Sequence, residues 1–222
     1  MQQKLQGSEN LTQLANTLIH LLLTAQKDKA FKLVLETLES GISIKDVYLH
    51  ILQPVMYEIG RLWQIGKIDV AAEHYCTGII QLLMAQLYSY TQTNERNGHK
   101  MLGCCLGSEL HDLGLRMVND FFEIEGWTTS FYGAATPLKD LLNAIKRTEP
   151  EIICISVTMS RGVPQTKTLI HELANRDLSV QPKTLVGGVA FLINPDLSEK
   201  VGADAMTYNA QHAVETAERF IA

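Results

Sequence analysis

The hydrophobic period of the chain changes near residue 93, and that change constrains the fold more than any single motif. Before it, apolar residues recur at intervals of three and four in "LTQLANTLIHLL", "AFKLVLETLES", "IKDVYLHILQPVMYEIGRLWQIG" and "DVAAEHYCTGIIQLLMAQLYSY". Such spacing places one apolar face on a helix. Breaks at "QKDK", "SGIS" and "IGKID" separate four such patterns with short links, so residues 8–93 are expected to form a four-helix bundle. Ser43 and Asp69 stand where N-caps are needed, and Gly41 and Gly66 stand where helices stop. Pro54 lies inside the third pattern and should kink it or reset its start.

After the polar stretch "TNERNGHK", residues 93–100, which reads as a linker, the apolar runs become short: "KMLGCCLG", "WTTSFYG", "EIICISV", "PKTLVGG" and a weaker "ADAMTY". Helix-like segments fall between and after them, near 114–125, 137–148, 163–176, 194–200 and 209–221. Strands alternating with helices build right-handed crossover units and a parallel sheet. Residues 98–222 are therefore expected to form an α/β domain with a five-stranded, parallel, doubly wound sheet of the flavodoxin or Rossmann-like kind.

Composition excludes several classes of function. The net charge is −5 and no run of Lys or Arg occurs, so a direct nucleic-acid footprint is not expected. No apolar stretch reaches the ~18–20 residues of a membrane span. The polar start "MQQKLQGSENLTQ" lacks a signal-peptide pattern, which points to the cytoplasm. Cys76, Cys104, Cys105 and Cys154 form no Cys-x-x-Cys pair and sit among apolar residues, so they are expected to be reduced and buried. Neither a Gly-x-Gly-x-x-Gly nor a Walker A pattern is present, which argues against a nucleotide site.

Three strand ends in the second half carry chemistry. Glu109-Leu110-His111-Asp112-Leu113-Gly114 follows the first strand, Ser156-Val157-Thr158 the third, and Gly187-Gly188 the fourth. In a doubly wound sheet these loops lie side by side at the carboxyl edge, where ligands bind. Gly114 and Ser156 are separated by 41 residues, and Thr158 and Gly187 by 28. Residue types and spacing together resemble the cobalamin-binding signature, Asp-x-His-x-x-Gly followed by Ser-x-Leu or Ser-x-Thr and then Gly-Gly. The resemblance spans roughly residues 98–222. It implies that His111 is the lower axial ligand of cobalt. It also implies that Ser156 bonds the displaced benzimidazole tail with Thr158 nearby, and that Gly187 and Gly188 leave room for that tail. A ligating imidazole needs a partner on its other nitrogen. Here the chain departs from the family, because Glu109 stands where aspartate is usual, and the longer arm leaves direct contact with the imidazole open. Asp112 is either a substitute partner or a helix N-cap.

In the first half, Trp63 is followed after nine residues by Glu73-His74. This arrangement resembles cobalamin-dependent photoreceptors, light-sensitive repressors in which a helical bundle caps the upper face of the corrin. The resemblance implies that Trp63 packs beside a 5′-deoxyadenosyl group and Glu73 bonds it. It further implies that His74 takes the upper cobalt position once light has broken the Co–C bond. The resulting expectation is a non-enzymatic light sensor that binds adenosylcobalamin. Those repressors carry an N-terminal DNA-binding domain, whereas this sequence starts almost directly with the bundle pattern. Its output would then pass through homo-oligomerisation or a protein partner such as a transcription regulator, without contact to nucleic acid or membrane. Two alternatives stand beside it: a corrinoid carrier that binds methylcobalamin and serves separate methyltransferases, and a cobalamin-responsive regulator without photochemistry.

Overall fold

The computed structural model describes residues 2–92 and 95–222, with side chains from Asn10 onward. The chain divides after Tyr90 into a helical unit and an α/β unit.

The helical unit contains α1 (Gln2–Leu23), α2 (Lys27–Glu39), α3 (Ile44–Val47), α4 (Gln53–Gln64) and α5 (Val70–Leu87). A π turn, Tyr48–Leu52, joins α3 to α4, so Ile44–Gln64 is one rod and the unit has four rods. Pro54 explains the turn. It has no N–H for the carbonyl of His50, and its ring would press on that oxygen. The backbone widens by one residue just before it, and Gln53 N–H donates to Tyr48 O. The rod is therefore locally widened rather than broken. Ser43 caps α3 by accepting from Asp46 N at 3.0 Å, and Asp69 caps α5 by accepting from Ala72 N at 2.8 Å. Gly41 and Gly66 end the preceding helices with φ of +92° and +68°. Leu18, Leu22, Ile51, Leu52, Val55, Ile59, Ile80 and Leu83 fill the interior of the unit. Among the described residues no helix is long and apolar enough to cross a membrane.

The α/β unit runs β1 (Lys100–Leu106), α6 (Leu113–Ile124), β2 (Thr128–Thr136), α7 (Leu138–Thr148), β3 (Ile152–Ser156), α8 (Val163–Ala174), β4 (Lys183–Gly187), α9 (Val189–Ile193), α10 (Leu197–Val201), β5 (Ala205–Met206) and α11 (Ala210–Ile221). The strands are all parallel, in the order β2-β1-β3-β4-β5. This is the five-stranded parallel sheet expected from the sequence. Met101–Leu106 is buried without interruption, as a central parallel strand covered on both faces must be. Helices α6 and α11 pack together, as do α7 and α8. Leu102, Cys104, Ile153, Ile155, Leu169, Val186 and Phe191 belong to one core. Two elements differ from the sequence reading. The helix expected near 194–200 is α10, and a further short helix, α9, precedes it; the two stay separate because Asn194 precedes Pro195 and is driven out of helical geometry. The fifth strand has only two residues.

The segment read as a linker is not a plain tether. Its Thr93 and Asn94 lie outside the described residues, but residues 95–99 are bound to the α/β unit. Arg96 donates to Glu123 Oε2 and to Trp127 O, both at 2.7 Å. Asn97 donates from its backbone to Gly126 O at 3.0 Å and from its side chain to Glu125 O at 2.9 Å. The two runs approach so closely that a Cβ on Gly126, at φ +81°, would lie 2.5 Å from Glu95 O. Gly126→Ala should therefore destabilise the α/β unit by about 1–3 kcal/mol, read as a lower urea midpoint. An unchanged midpoint would mean that residues 95–99 do not hold this position.

Candidate functional site

The sheet order places a switch point between β1 and β3, whose connections leave in opposite directions. The loops that follow these strands, residues 107–112 and 157–162, therefore open a crevice at the carboxyl edge. Glu109 sits in the first loop and is 3% exposed. Its Oε1 accepts from His111 N at 3.2 Å and lies 2.5 Å from His111 Nδ1. Its Oε2 accepts from Thr158 N and Met159 N in the second loop, each at 2.9 Å. The longer arm of glutamate thus makes the imidazole contact that the sequence left open, and it spans both loops as well.

Burial pushes the pKa of Glu109 up, but the bonds from Met159 N, the His111 ring, His111 N and Thr158 N outweigh it and hold the group below its ordinary value. The group is then a carboxylate at neutral pH, with acceptors only. A neutral imidazole must carry its proton on Nδ1 to meet it, which leaves the Nε2 lone pair as the outward donor. The His111 side chain is 51% exposed, so that donor can reach a ligand.

The other residues of the second half fall as follows. Asp112 precedes α6 without a side-chain cap bond, and the imidazole contact considered for it is made by Glu109. Gly114, in the first turn of α6, has nothing within 4 Å of its Cβ direction. Ser156 ends β3, half-buried and opposite Gly187 of β4. Thr158 is partly buried, and its backbone rather than its hydroxyl is committed to Glu109. The two glycines have different reasons. Gly188 has φ +94°, and a Cβ there would lie 2.5 Å from Val157 O, so the fold alone demands glycine. A Cβ at Gly187 would lie 3.2 Å from Thr207 O, in the narrow strip beside β5. The donor set suits a corrinoid in one respect: an oriented imidazole whose second nitrogen faces outward.

Leu110 and Met159 are 68% and 44% exposed, one on each of the two loops that Glu109 joins. Sequence reasoning missed Met159, and it missed the two amides, which have no residue signature.

Competing soft donors are silent. All four cysteines are free and buried. Burial drives the thiols of Cys104, Cys105 and Cys154 well up, so they stay protonated. Cys105 Sγ is 3.8 Å from His111 O and is therefore near the site as a thiol, not as a thiolate. Among the described residues no three His, Cys, Asp or Glu converge as a metal cage.

In the helical unit, Trp63 lies near the end of α4 and is 44% exposed. Glu73 Oε2 lies 2.6 Å from His74 Nδ1, and Glu73 Oε1 accepts from Thr77 Oγ1 at 2.7 Å. Both oxygens are thus engaged inside α5 itself.

Residues 99–218 match the B12 binding domain family, and residues 14–88 match a second B12 binding domain family. The chain belongs to the B12 binding domain family. It is 24% identical over 208 residues to dimethylamine corrinoid protein 3 of Methanosarcina acetivorans, covering 90% of this chain and 92% of that one. It is 26% identical over 159 residues to the HTH-type transcriptional repressor CarA of Myxococcus xanthus, covering 70% of this chain and 52% of the repressor. The fold matches the monomethylamine corrinoid protein of Methanosarcina barkeri with a TM-score of 0.82 at 19% identity, covering 93% and 98% of the two chains. It matches a chain of the methanol:cobalamin methyltransferase complex of the same organism with a TM-score of 0.52 at 16% identity, covering 96% and 83%.

These likenesses overturn the light-sensor reading. The dimethylamine corrinoid protein is matched over nearly its whole length, and the repressor over only about half of its own. Photoreception, transcription regulation and an adenosyl upper ligand lose their support, and with them goes the role of His74 as a cobalt ligand after photolysis. Within α5, Glu73 meets His74 and Thr77, side-chain partners that a sequence does not show.

A carboxylate held below its ordinary pKa stabilises the fold fully above the unfolded value, about 4.3 for glutamate, and loses that contribution as pH falls through the folded value. The urea-midpoint difference between the protein and Glu109→Gln should therefore be largest near neutral pH and narrow below about pH 4.3. A difference that stays constant down to pH 3 would show that the charge of Glu109 contributes nothing.

Proposed function

We propose that this protein is a corrinoid carrier for methyl transfer. It would hold cobalamin, with methylcobalamin as the loaded form, and exchange the methyl group with separate methyltransferases without catalysing a reaction alone. The observation that carries the reading is the near full-length likeness to a dimethylamine corrinoid protein. The fold match to a chain of a methanol:cobalamin methyltransferase complex supports a methyltransferase as partner. When bound, the corrinoid supplies a cobalt centre that accepts a methyl group and gives it up.

The remaining tasks fall to side chains. His111 would offer Nε2 to the cobalt, and Glu109 holds its ring and its tautomer. Ser156 and Thr158 line the way for the nucleotide tail, beside the Gly187-Gly188 turn. Gly114 leaves the start of α6 open, and Asp112 adds negative charge beside it. Trp63, Glu73 and His74 are the helical unit's candidates for contact with a bound corrinoid. A methylated amine is the methyl source that the named relatives suggest.

The test is reconstitution with hydroxocobalamin, reduction, and addition of dimethylamine or trimethylamine with a methylamine methyltransferase. Stoichiometric appearance of the methylcobalamin spectrum is expected. His111→Ala should bind cobalamin without the spectrum of an imidazole-ligated cobalt. No uptake of cobalamin by the unaltered protein would sink the reading, and uptake without methylation from any methylated amine would remove the carrier role.

A further inference from the structure

We infer that Glu109 is a positioning residue that locks the loop bearing His111 and the loop bearing Thr158 and Met159 into one body, so that orienting the imidazole and shaping the neighbouring wall are a single event. The inference rests on the reading of His111 as the lower ligand. It adds a connection that a carboxylate serving the imidazole alone would not make.

Four N–H groups converge on one carboxylate, two from each loop. All of the carboxylate's strong acceptor directions are used, and its side chain is buried, so water does not compete for them. The main chain of Glu109 is fixed as well. Its N–H donates to Leu106 O at 3.1 Å, and its carbonyl accepts from Ala135 N at 3.0 Å. The Glu109 backbone therefore cannot advance to compensate for a shorter side chain. Aspartate is shorter by one methylene, roughly 1.5 Å. From this backbone it can serve the imidazole or the two amides, but not both.

Leu110 and Met159 gain a meaning from the same geometry. They are exposed apolar side chains, one on each tied loop, and each adjoins a residue whose N–H is held by Glu109. Movement of the His111 loop must carry Met159 with it unless the carboxylate lets go. Coupling of this kind is reciprocal: disturbing either loop loosens the other.

Amide hydrogen exchange in the protein without cofactor tests the lock independently of methyl transfer. In Glu109→Asp the amides of Thr158 and Met159 should exchange at least about tenfold faster, while those of β3 and β4 keep their rates. Glu109→Gln, which preserves length but turns an N–H toward N–H donors, should do the same and serves as the second variant if aspartate disturbs folding. His111→Ala should speed both amides by about threefold, although neither touches His111. With cobalamin bound and reduced to the cobalt(II) state, the nitrogen hyperfine splitting from axial imidazole should be intact in the unaltered protein and heterogeneous in Glu109→Asp. Thr158 and Met159 amides that exchange at unaltered rates in both Glu109 variants would overturn the inference. A positive exchange result with no methylation activity would leave the lock standing and remove only the carrier role.

Discussion

Everything at the carboxyl edge depends on one buried carboxylate and the four N–H groups that surround it. A charge taken out of water is costly unless hydrogen bonds replace its hydration, and removing its partners would leave several kcal/mol uncompensated. Glu109 meets that requirement by reaching across the switch point of the sheet. The parallel order β2-β1-β3-β4-β5 is what brings its two sets of donors together, because β1 and β3 are neighbours whose following loops diverge. Fold and site are thus not independent. The strand order creates the crevice, and the carboxylate fixes the crevice's two lips.

The glycines around this point illustrate how backbone packing and ligand space can be confused. Gly188 is needed because Val157 O occupies the place of a Cβ and because its φ is positive. Val157 in turn is tied to Gly187 O through its N–H and accepts from Ala190 N. The Gly-Gly pair is therefore part of the scaffold that places Ser156 and Thr158 before it is part of any pocket. Gly114 is the opposite case, since no neighbour fills the space beside it and no strained torsion requires it.

Much of this was legible in the sequence. The change of hydrophobic period separates the helical rods from the sheet, and cap residues such as Ser43 and Asp69 mark helix starts because their side chains satisfy orphan N–H groups locally. Local rules also locate Gly41 and Gly66 correctly. What they miss has a non-local cause. The π turn before Pro54 is one of several ways to relieve the same clash, and the sequence does not choose among them. The anchoring of Arg96 and Asn97 depends on residues 27 to 31 positions away, beyond any local pattern. At the site, the spacing of His111, Ser156 and Gly187 was readable because it counts strand and helix lengths. The roles of the Thr158 and Met159 amides were not, because every residue except proline has such an amide.

The Glu73–His74 pair shows the limit of motif transfer most sharply. Two functional groups at adjacent positions of a helix point in different directions, yet their side chains are long enough to meet, and here they do. The Glu73 carboxylate is engaged by the imidazole and by a hydroxyl of the same helix. The same chemical pairing at Glu109–His111 has the opposite consequence. There the second carboxylate oxygen is held by a different strand end, so the imidazole is aimed rather than merely satisfied. The difference lies in where the remaining oxygen is anchored. In α5 it returns to the same helix through Thr77, and the pair gains no external reference. At the sheet edge it is fixed to β3's loop, and the histidine acquires an orientation relative to the whole α/β unit. An imidazole of the second kind is the one suited to hold a metal at a defined place.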